Sequence, residues 1–376
     1  MMGLVVRSLR GRRVRSWLAV AGVATCTLLV IVIASAYRSV RTAMASYAGQ
    51  AGIDLWVAPE GVDNMIRGSY TAFIPLVDVD PLRAIPGVAA ADPILQGFLP
   101  VQSLGSSGPT KRLTLLTVGF RFPDGLGGPP AYVKGRLPQA FDEVLLDRAA
   151  AYRLGVGLGE AIDFFDSEFT VVGLTTGTNI MATQFLFADF DVVAGGGQTR
   201  GRASFIVVRI ASGADRNGIA RAIEARFPGL RAFTREEFTA ANDREVAAGF
   251  IPILALVMTL GLGAAAVLVG LLILSVVDER RGDIAVLMAM GTGAPAVGRG
   301  VLAQAASLSM RGAALGIALS YGLRAALDAF LPMIPLRISV LDVILIAFLF
   351  VLTGSAAALA PVVRLSAIDP LEAFRS

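Results

Sequence analysis

Residues 246–277 read VAAGFIPILALVMTLGLGAAAVLVGLLILSVV, an apolar run of 32 residues with no charged side chain. A helix rises about 1.5 Å per residue, and about 20 apolar residues cross the hydrocarbon core of a bilayer. The run is a membrane helix with length to spare. Its first part, with 235–245 before it, is expected to continue as helix beyond the bilayer. Three other stretches share this character: 16–37 and 343–363 carry no charge, and 300–323 carries only Arg311. The first of these can also extend, through Arg38, Arg41 and Met44 to Tyr47. Two such extensions would form a stalk for the segment between them.

The whole composition agrees with a membrane protein. The chain has 376 residues, 55% of them hydrophobic, and a mean hydropathy of +0.68, too apolar for an ordinary soluble enzyme. It has no histidine and one cysteine, Cys26, inside the first apolar run. That removes imidazole acid–base chemistry, His-based triads and His/Cys metal sites. A membrane enzyme would need a nucleophile and base that the sequence does not offer.

Charge sets the expected orientation. Residues 38–247 carry 20 basic and 22 acidic side chains, while the remainder has an excess of 6 positive charges. Arg7, Arg10, Arg12, Arg13 and Arg15 supply most of that excess beside the first span, which predicts a cytoplasmic N-terminus and not a nucleic-acid site. At 22 residues the run 16–37 is too long for a typical signal-peptide core and reads as an uncleaved anchor. The expected order is a cytoplasmic segment 1–15, a first span 16–37, an outer domain 38–245, a second span 246–277 and a cytoplasmic loop 278–299. A third span 300–323, a short outer loop 324–342, a fourth span 343–363 and a cytoplasmic tail 364–376 follow. The fold class is membrane α-helical, with four transmembrane helices in a one-plus-three order and a large α+β extracytoplasmic domain between the first and second.

In the outer domain, Ile53 to Val57 alternates like a strand. Asp80-Pro81 offers an N-cap and a proline at the first helical position. Ala161 to Phe165 and Phe169 to Leu174, separated by Asp166-Ser-Glu168, read as a hairpin. Leu82-Arg-Ala-Ile-Pro-Gly-Val88 is echoed by Ile223-Glu-Ala-Arg-Phe-Pro-Gly-Leu230, each a short helix feeding a strand. Two β-α-β units of that kind would pack side by side in a split sheet, with residues near 100–200 inserted as a mostly β subdomain. Gly155-Val-Gly-Leu-Gly159 precedes a strand and lacks the full dinucleotide fingerprint, so it reads as a tight turn. Asp163, Asp166 and Glu168 lack the glycine and terminal glutamate of a calcium loop and read as a solvated rim. Residues 105–109, 123–130 and 195–201 are expected to be mobile loops.

The most specific segment is Asp278-Glu-Arg-Arg-Gly-Asp-Ile-Ala-Val-Leu-Met-Ala-Met-Gly291. Ile284, Leu287, Met288 and Gly291 share one helical face. Asp278, Glu279 and Asp283 are expected in the first turns, where negative charge suits the helix dipole, with Gly291 as the stop. The product is a short amphipathic helix at the cytoplasmic surface. It either lies in the headgroups or docks a cytoplasmic protein.

This segment, from Glu279 to Gly291, resembles the stretch between the second and third spans of the MacB/FtsX-like permeases of ABC transporters. The terminal Pro361-Val-Val-Arg-Leu-Ser-Ala-Ile-Asp-Pro-Leu-Glu-Ala-Phe-Arg375 resembles their closing motif. The Arg-rich start, the one-plus-three order and the hairpin within Val144 to Leu174 also fit. The resemblance implies that Asp278, Glu279, Arg280, Arg281, Asp283, Ile284, Leu287, Met288 and Gly291 form a coupling helix for a separate ABC ATPase. It implies two permease chains, as a homodimer in preference to a heterodimer, in a bacterial plasma (inner) membrane with both termini cytoplasmic. ATP-driven closure would move the spans and the stalk, a mechanism called mechanotransmission. In a double-membraned bacterium a periplasmic adaptor could join. Two features depart from the family pattern: Gln304 stands where an acidic residue is common early in the third span, and Arg311 where a charge is rare. An intramembrane arginine is a functional candidate or snorkels or pairs at a subunit interface. Met288 replaces a commonly charged position.

MacB itself fuses its ATPase to its permease, and this chain resembles the membrane half only. With two lysines, Lys111 and Lys134, neither in a Gly-Lys-Ser/Thr turn, it has no P-loop. ATP and magnesium are expected in the partner, no cofactor on this chain, and no enzyme activity of its own; its surroundings are membrane lipids, not nucleic acid. The expected function is export or extraction of a lipid-like, peptide or hydrophobic small molecule. For haem, Met44, Met65, Tyr47 and Tyr70 are candidate ligands, though such residues more often pack. The alternative is an FtsX-like signalling protein that activates an extracytoplasmic partner without transport.

Overall fold

A computed structural model describes residues 2–69, 72–104, 110–122, 125–180, 183–195, 199–290, 292–331 and 336–365. The chain opens with helix α1 (Met2–Ala48), then β1 (Leu55–Pro59), α2 (Met65–Gly68), β2 (Ile74–Pro75), a 3₁₀ turn (Leu76–Asp78), α3 (Val79–Arg83), β3 (Val88–Ser103), β4 (Arg112–Phe120) and β5 (Tyr132–Gly135). It continues through β6 (Glu143–Asp147), α4 (Arg148–Leu154), β7 (Ala161–Phe164), β8 (Ser167–Thr175), β9 (Asn179–Ile180), β10 (Thr183–Asp189), α5 (Phe190–Ala194), β11 (Arg202–Ala203), β12 (Phe205–Ile210), α6 (Arg216–Arg226) and β13 (Leu230–Thr234). Then come α7 (Arg235–Glu279), α8 (Arg281–Ala289), α9 (Ala294–Phe330), α10 (Val340–Ala357) and α11 (Leu359–Leu365).

Two compact units result. One contains Met1–Ala36, Phe250–Ala329 and Leu336–Ser376; the other contains Tyr37–Gly249 and Phe330–Pro335. Helices long and apolar enough to cross a membrane run over Ser16–Ala48, Arg235–Glu279, Ala294–Phe330 and Val340–Val363, and most of their apolar length falls in the first unit. Their shared core includes Val23, Val30, Val269, Ile273, Ala305, Leu308, Ile346 and Phe350. Close approach relies on small residues: a Cβ on Gly312 would sit 2.6 Å from the Val23 side chain, and one on Gly316 2.6 Å from the Ala24 carbonyl oxygen. Small residues let apolar helices pack by dispersion where no hydrophobic gradient separates them from lipid.

In the second unit the sheet order begins β13-β1-β12-β3, all antiparallel. This is the split β-α-β pattern that the Leu82 and Ile223 echo predicts, of ferredoxin-like order. Strand β1 is buried at every position, although its sequence alternates as a half-buried strand would. Both of its faces are covered. Leu55 and Val57 pack with Leu82, Ile219 and Ile223 beneath α3 and α6, while Trp56 stacks on Phe238 of α7 at 4.4 Å between ring centroids. Helix α3 begins at Val79, two residues before the expected first helical position at Pro81. The 3₁₀ turn delivers the chain already helical, and the Asp80 carboxylate instead accepts from Arg83 Nη1 at 3.0 Å.

Strand β3 is 16 residues long and serves two sheets. Its first half pairs with β12, and its second half with β4 and β7. From there the pairing runs β4-β10-β6-β8, and β7 joins β8 back to β3. The inserted subdomain is thus a closed six-stranded ring, filled by Val101, Leu115, Val144, Leu146, Phe164, Val171 and Leu186 among others. Closure leaves no free strand edge in that ring. Gly155 and Gly159 adopt positive φ in the turn between α4 and β7, as expected for a tight turn. Of the loops expected to be mobile, 105–109, 123–124 and 196–198 lie outside the described residues.

The β7–β8 hairpin forms, but its turn lies one residue earlier than expected. Ser167 and Glu168 already pair with Phe164 and Asp163, leaving Phe165 and Asp166 as the two loop residues. Both have positive φ, 56° and 54°, the geometry of a type I′ turn that usually employs Asn-Gly. Replacing Asp166 with glycine removes the left-handed penalty of about 1 kcal/mol. Asp166→Gly should therefore raise the thermal midpoint of this unit by about 2–4 °C. A fall in the midpoint by scanning calorimetry would contradict the turn assignment.

Candidate functional site

Two places gather the residues with functional promise. The first is the junction of α7 and α8. Nothing in 278–281 breaks a helix, so α7 continues past the apolar run through Asp278 and Glu279, and a single residue, Arg280, separates it from α8. Arg280 N–H still bonds to Val276 and Val277 carbonyls at 3.2 Å, and its own carbonyl accepts from Ile284 N–H at 2.9 Å. Asp278 and Glu279 therefore occupy the carboxyl end of α7, not the first turn of the amphipathic helix. Arg281 and Asp283 fall in the first turn of α8.

The apolar face of α8 divides in two. Ile284 is 7% exposed and belongs to the core of the helical unit with Val277 and Ala305; Met288 packs partly against the same core. Leu287 is 43% exposed, and Val286 and Met290 are 51% and 70% exposed. Among the described residues, those three leave an apolar edge unpartnered. Gly291 lies outside the described residues; Thr292 N–H bonds to Leu287 O at 3.1 Å just past the helix. The sequence groups Ile284 with Leu287, but only contacts show that one is anchored and the other free. Val286 and Met290 were not singled out from the sequence because they fall off the i, i+3, i+4 face.

Along α9, Gln304 and Arg311 are exposed. Seven residues apart, they share one face with the partly buried Ser307. In a spanning helix an arginine costs about 2.5–3.5 kcal/mol at the bilayer centre unless a partner or water receives it.

The second place is where α1 and α7 meet the β-rich unit. The Arg41 guanidinium grips the Asp243 carboxylate through both Nε, at 2.6 Å, and an Nη, and it lies over the Tyr37 ring at 5.4 Å. Tyr47 is fully buried and donates its hydroxyl to Gly127 O at 2.8 Å. Trp56 Nε1 donates to Ala48 O at 3.0 Å, capping the last turn of α1. On α7, Asn242 accepts from Met65 N–H at 3.0 Å and donates to Phe238 O at 2.8 Å. Met44, Tyr47 and Met65 are thus packing residues at this joint, with 3%, 0% and 1% exposure and no open face for a ligand; Tyr70 lies outside the described residues.

The chain is similar to several known proteins. A family model for the MacB-like periplasmic core domain matches residues 16–226, and one for the FtsX-like permease C-terminal matches residues 255–370. An uncharacterized ABC transporter permease of Mycobacterium tuberculosis, found in strains CDC 1551 and H37Rv, is 28% identical over 333 residues, covering 86% of this chain and 84% of that one. Among solved structures, the periplasmic region of MacB from Actinobacillus actinomycetemcomitans is similar at 13% identity, covering 50% of this chain and 91% of that chain, with a TM-score of 0.38. The extracellular domain of the ABC-type transporter YknZ from Gram-positive bacteria covers 48% and 98%, at 12% identity and a TM-score of 0.34.

The Arg41–Asp243 pair is half-exposed, with side-chain exposures of 45% and 31%, so its contribution to stability should be small. A double-mutant cycle with Arg41→Ala and Asp243→Ala should give a coupling of about 0.2–1 kcal/mol that shrinks in high salt. A coupling of zero at low salt would remove the clamp.

Proposed function

This chain belongs to the MacB/FtsX-like permeases of ABC transporters, and on that premise we propose that α8 is the element through which a separate ATPase drives it. The protein is a multi-pass membrane protein and the permease component of such a transporter. The observation carrying the proposal is the divided face of α8. Ile284 and Met288 root the helix in the span core, while Val286, Leu287 and Met290 present an apolar edge that a groove on an ATPase would cover. A helix rooted on one side and gripped on the other transmits a push to α7 and α9, between which it lies in the chain. ATP and magnesium act in the partner, and this chain supplies no hydrolytic group.

In this reading the arginine-rich start and α8 are cytoplasmic, and both termini lie on that side of an inner membrane. The β-rich unit is extracytoplasmic. The joint around Tyr47, Trp56 and Phe238 passes movement of α1 and α7 to that unit, which is mechanotransmission. Export or extraction of a lipid-like, peptide or hydrophobic small molecule is the activity we assign, because a domain of about 210 residues rooted in two helices suits handling a cargo. Haem enters as hydrophobic cargo only, since Met44, Tyr47 and Met65 are committed to packing. We further assign the Gln304, Ser307 and Arg311 face to a second copy of the permease, where a partner chain relieves the cost of a lipid-facing arginine.

Two measurements test these assignments. Leu287→Asp should abolish copurification with the ATPase subunit while leaving the permease folded, because it buries a charge in the docking edge. Ile284→Asp should instead lower the yield of folded permease. Unchanged copurification of Leu287→Asp would refute the coupling role. In a Cys26→Ser background, Ser307→Cys should give a crosslinked permease dimer with a short bifunctional maleimide in native membranes. Monomer alone, with labelling of the cysteine demonstrated, would count against the α9 interface.

A further inference from the structure

The split sheet ends at β13, which among the described residues pairs on one side only, with β1. An open strand edge offers a row of backbone donors and acceptors to any extended chain, and is a liability unless covered. Which groups point outward follows from the ladder. At its two ends Arg235 N–H donates to Asp54 O at 3.1 Å and Glu60 N–H to Gly229 O at 2.7 Å. In an antiparallel pair alternate residues bond to the partner strand, so Arg231 and Phe233 turn their backbone groups to β1. Leu230, Ala232 and Thr234 turn theirs to the open side.

All three outward donors are nonetheless engaged within the chain. Leu230 N–H bonds to Phe227 O at 3.1 Å. Ala232 N–H donates to Glu224 Oε1 at 3.1 Å, and Thr234 N–H to Glu237 Oε2 at 2.8 Å. The two carboxylates come from the helices on either side of the strand in sequence, Glu224 from α6 and Glu237 from the first turn of α7. Each is held in place. Glu224 Oε1 also accepts from Arg231 Nε at 2.9 Å. Glu237 N–H donates back to Thr234 Oγ1 at 3.2 Å, which makes Thr234-Arg-Glu-Glu237 a reciprocal capping box. The box thus serves both the start of α7 and the edge of β13. A hydrogen bond to a carboxylate is stronger than one between neutral groups, so the carbonyl of an incoming strand gains nothing by displacing it.

We infer that Glu224 and Glu237 close the β13 edge against strand addition by a second copy of this chain. The excluded occupant is a second copy because the edge is its own complement. Two β13 strands brought together antiparallel about Ala232 would pair residue for residue across a two-fold axis. The two Glu224 carboxylates would meet at that axis, and both carboxylate bonds would have to break in each copy. The inserted ring has no such edge because it closes on itself, whereas the split sheet stays open and uses side chains instead. The inference depends neither on the coupling role of α8 nor on what the permease moves.

The test combines amide hydrogen exchange and sedimentation of the full-length protein in detergent. In the wild type the amides of Ala232 and Thr234 should be protected. Glu224→Ala should speed exchange at Ala232 by about tenfold. At high protein concentration it should also add an oligomer larger than the wild-type species. Glu224→Ala combined with Glu237→Ala should expose both amides and give more of that oligomer. The single variant carries the test if loss of the α7 cap unfolds the pair, which the thermal midpoint reveals. Glu224→Gln keeps an acceptor oxygen and should retain the protection. Adding Ala232→Pro removes an outward N–H without touching a hydrogen bond to β1, and should remove the oligomer. The inference is overturned if the wild-type amides exchange as fast as those of an unstructured chain, or if faster exchange in the variants brings no larger species. It is also overturned if that species survives Ala232→Pro, because it then forms elsewhere. None of these readings needs the ATPase, so they stand apart from the coupling-helix tests.

Discussion

The stack of Trp56 on Phe238 is the contact on which the β-rich unit depends. Trp56 lies at the centre of β1, flanked by β12 and β13, and its ring meets α7 face to face at 4.4 Å and an interplanar angle of 10°. Its indole nitrogen holds the end of α1 at Ala48. Tyr47, one residue earlier, meets Trp56 and Phe185 edge-on, with ring centroids 6.0 and 5.4 Å apart. One fully buried aromatic group therefore joins the sheet to both helices that leave it. Aromatic side chains suit such a joint because they bury large area with few rotatable bonds, and their polar tips satisfy backbone groups that would otherwise be orphaned.

A second constraint acts at the other end of α7. A helix ends where a breaker, a cap or a competing contact stops it. Between Val277 and Arg280 there is no glycine or proline, so the helix runs on into charged residues and breaks only at Arg280. The break is minimal, and α8 stays hydrogen-bonded to the end of α7 through Arg280 and Ile284. Displacement of α8 is thereby tied to α7.

The two ends meet opposite demands on polar groups. At the joint, buried polar atoms such as those of Tyr47 and Asn242 are paired within the chain. On α9, Gln304 and Arg311 are exposed. In a spanning helix such a charge is costly unless a partner group or water receives it.

Local patterns along the chain determined much of this protein. Uncharged runs of 21 to 32 residues can only be membrane helices, and the lack of histidine removes whole classes of chemistry. The Leu82 and Ile223 echo carried the split sheet, and Asp278 to Gly291 carried the α8 segment. Tertiary structure alone decided what depends on residues distant in sequence. The alternation of Ile53 to Val57 could not reveal that α7 covers the second face of β1, because Phe238 lies some 180 residues away. Helical spacing put Ile284 and Leu287 on one face, but only packing against Val277 and Ala305 anchored the first and freed the second. Closure of the β3–β7 ring likewise left no local trace. Periodicity records which side of an element is apolar, while register and contact decide what that side meets.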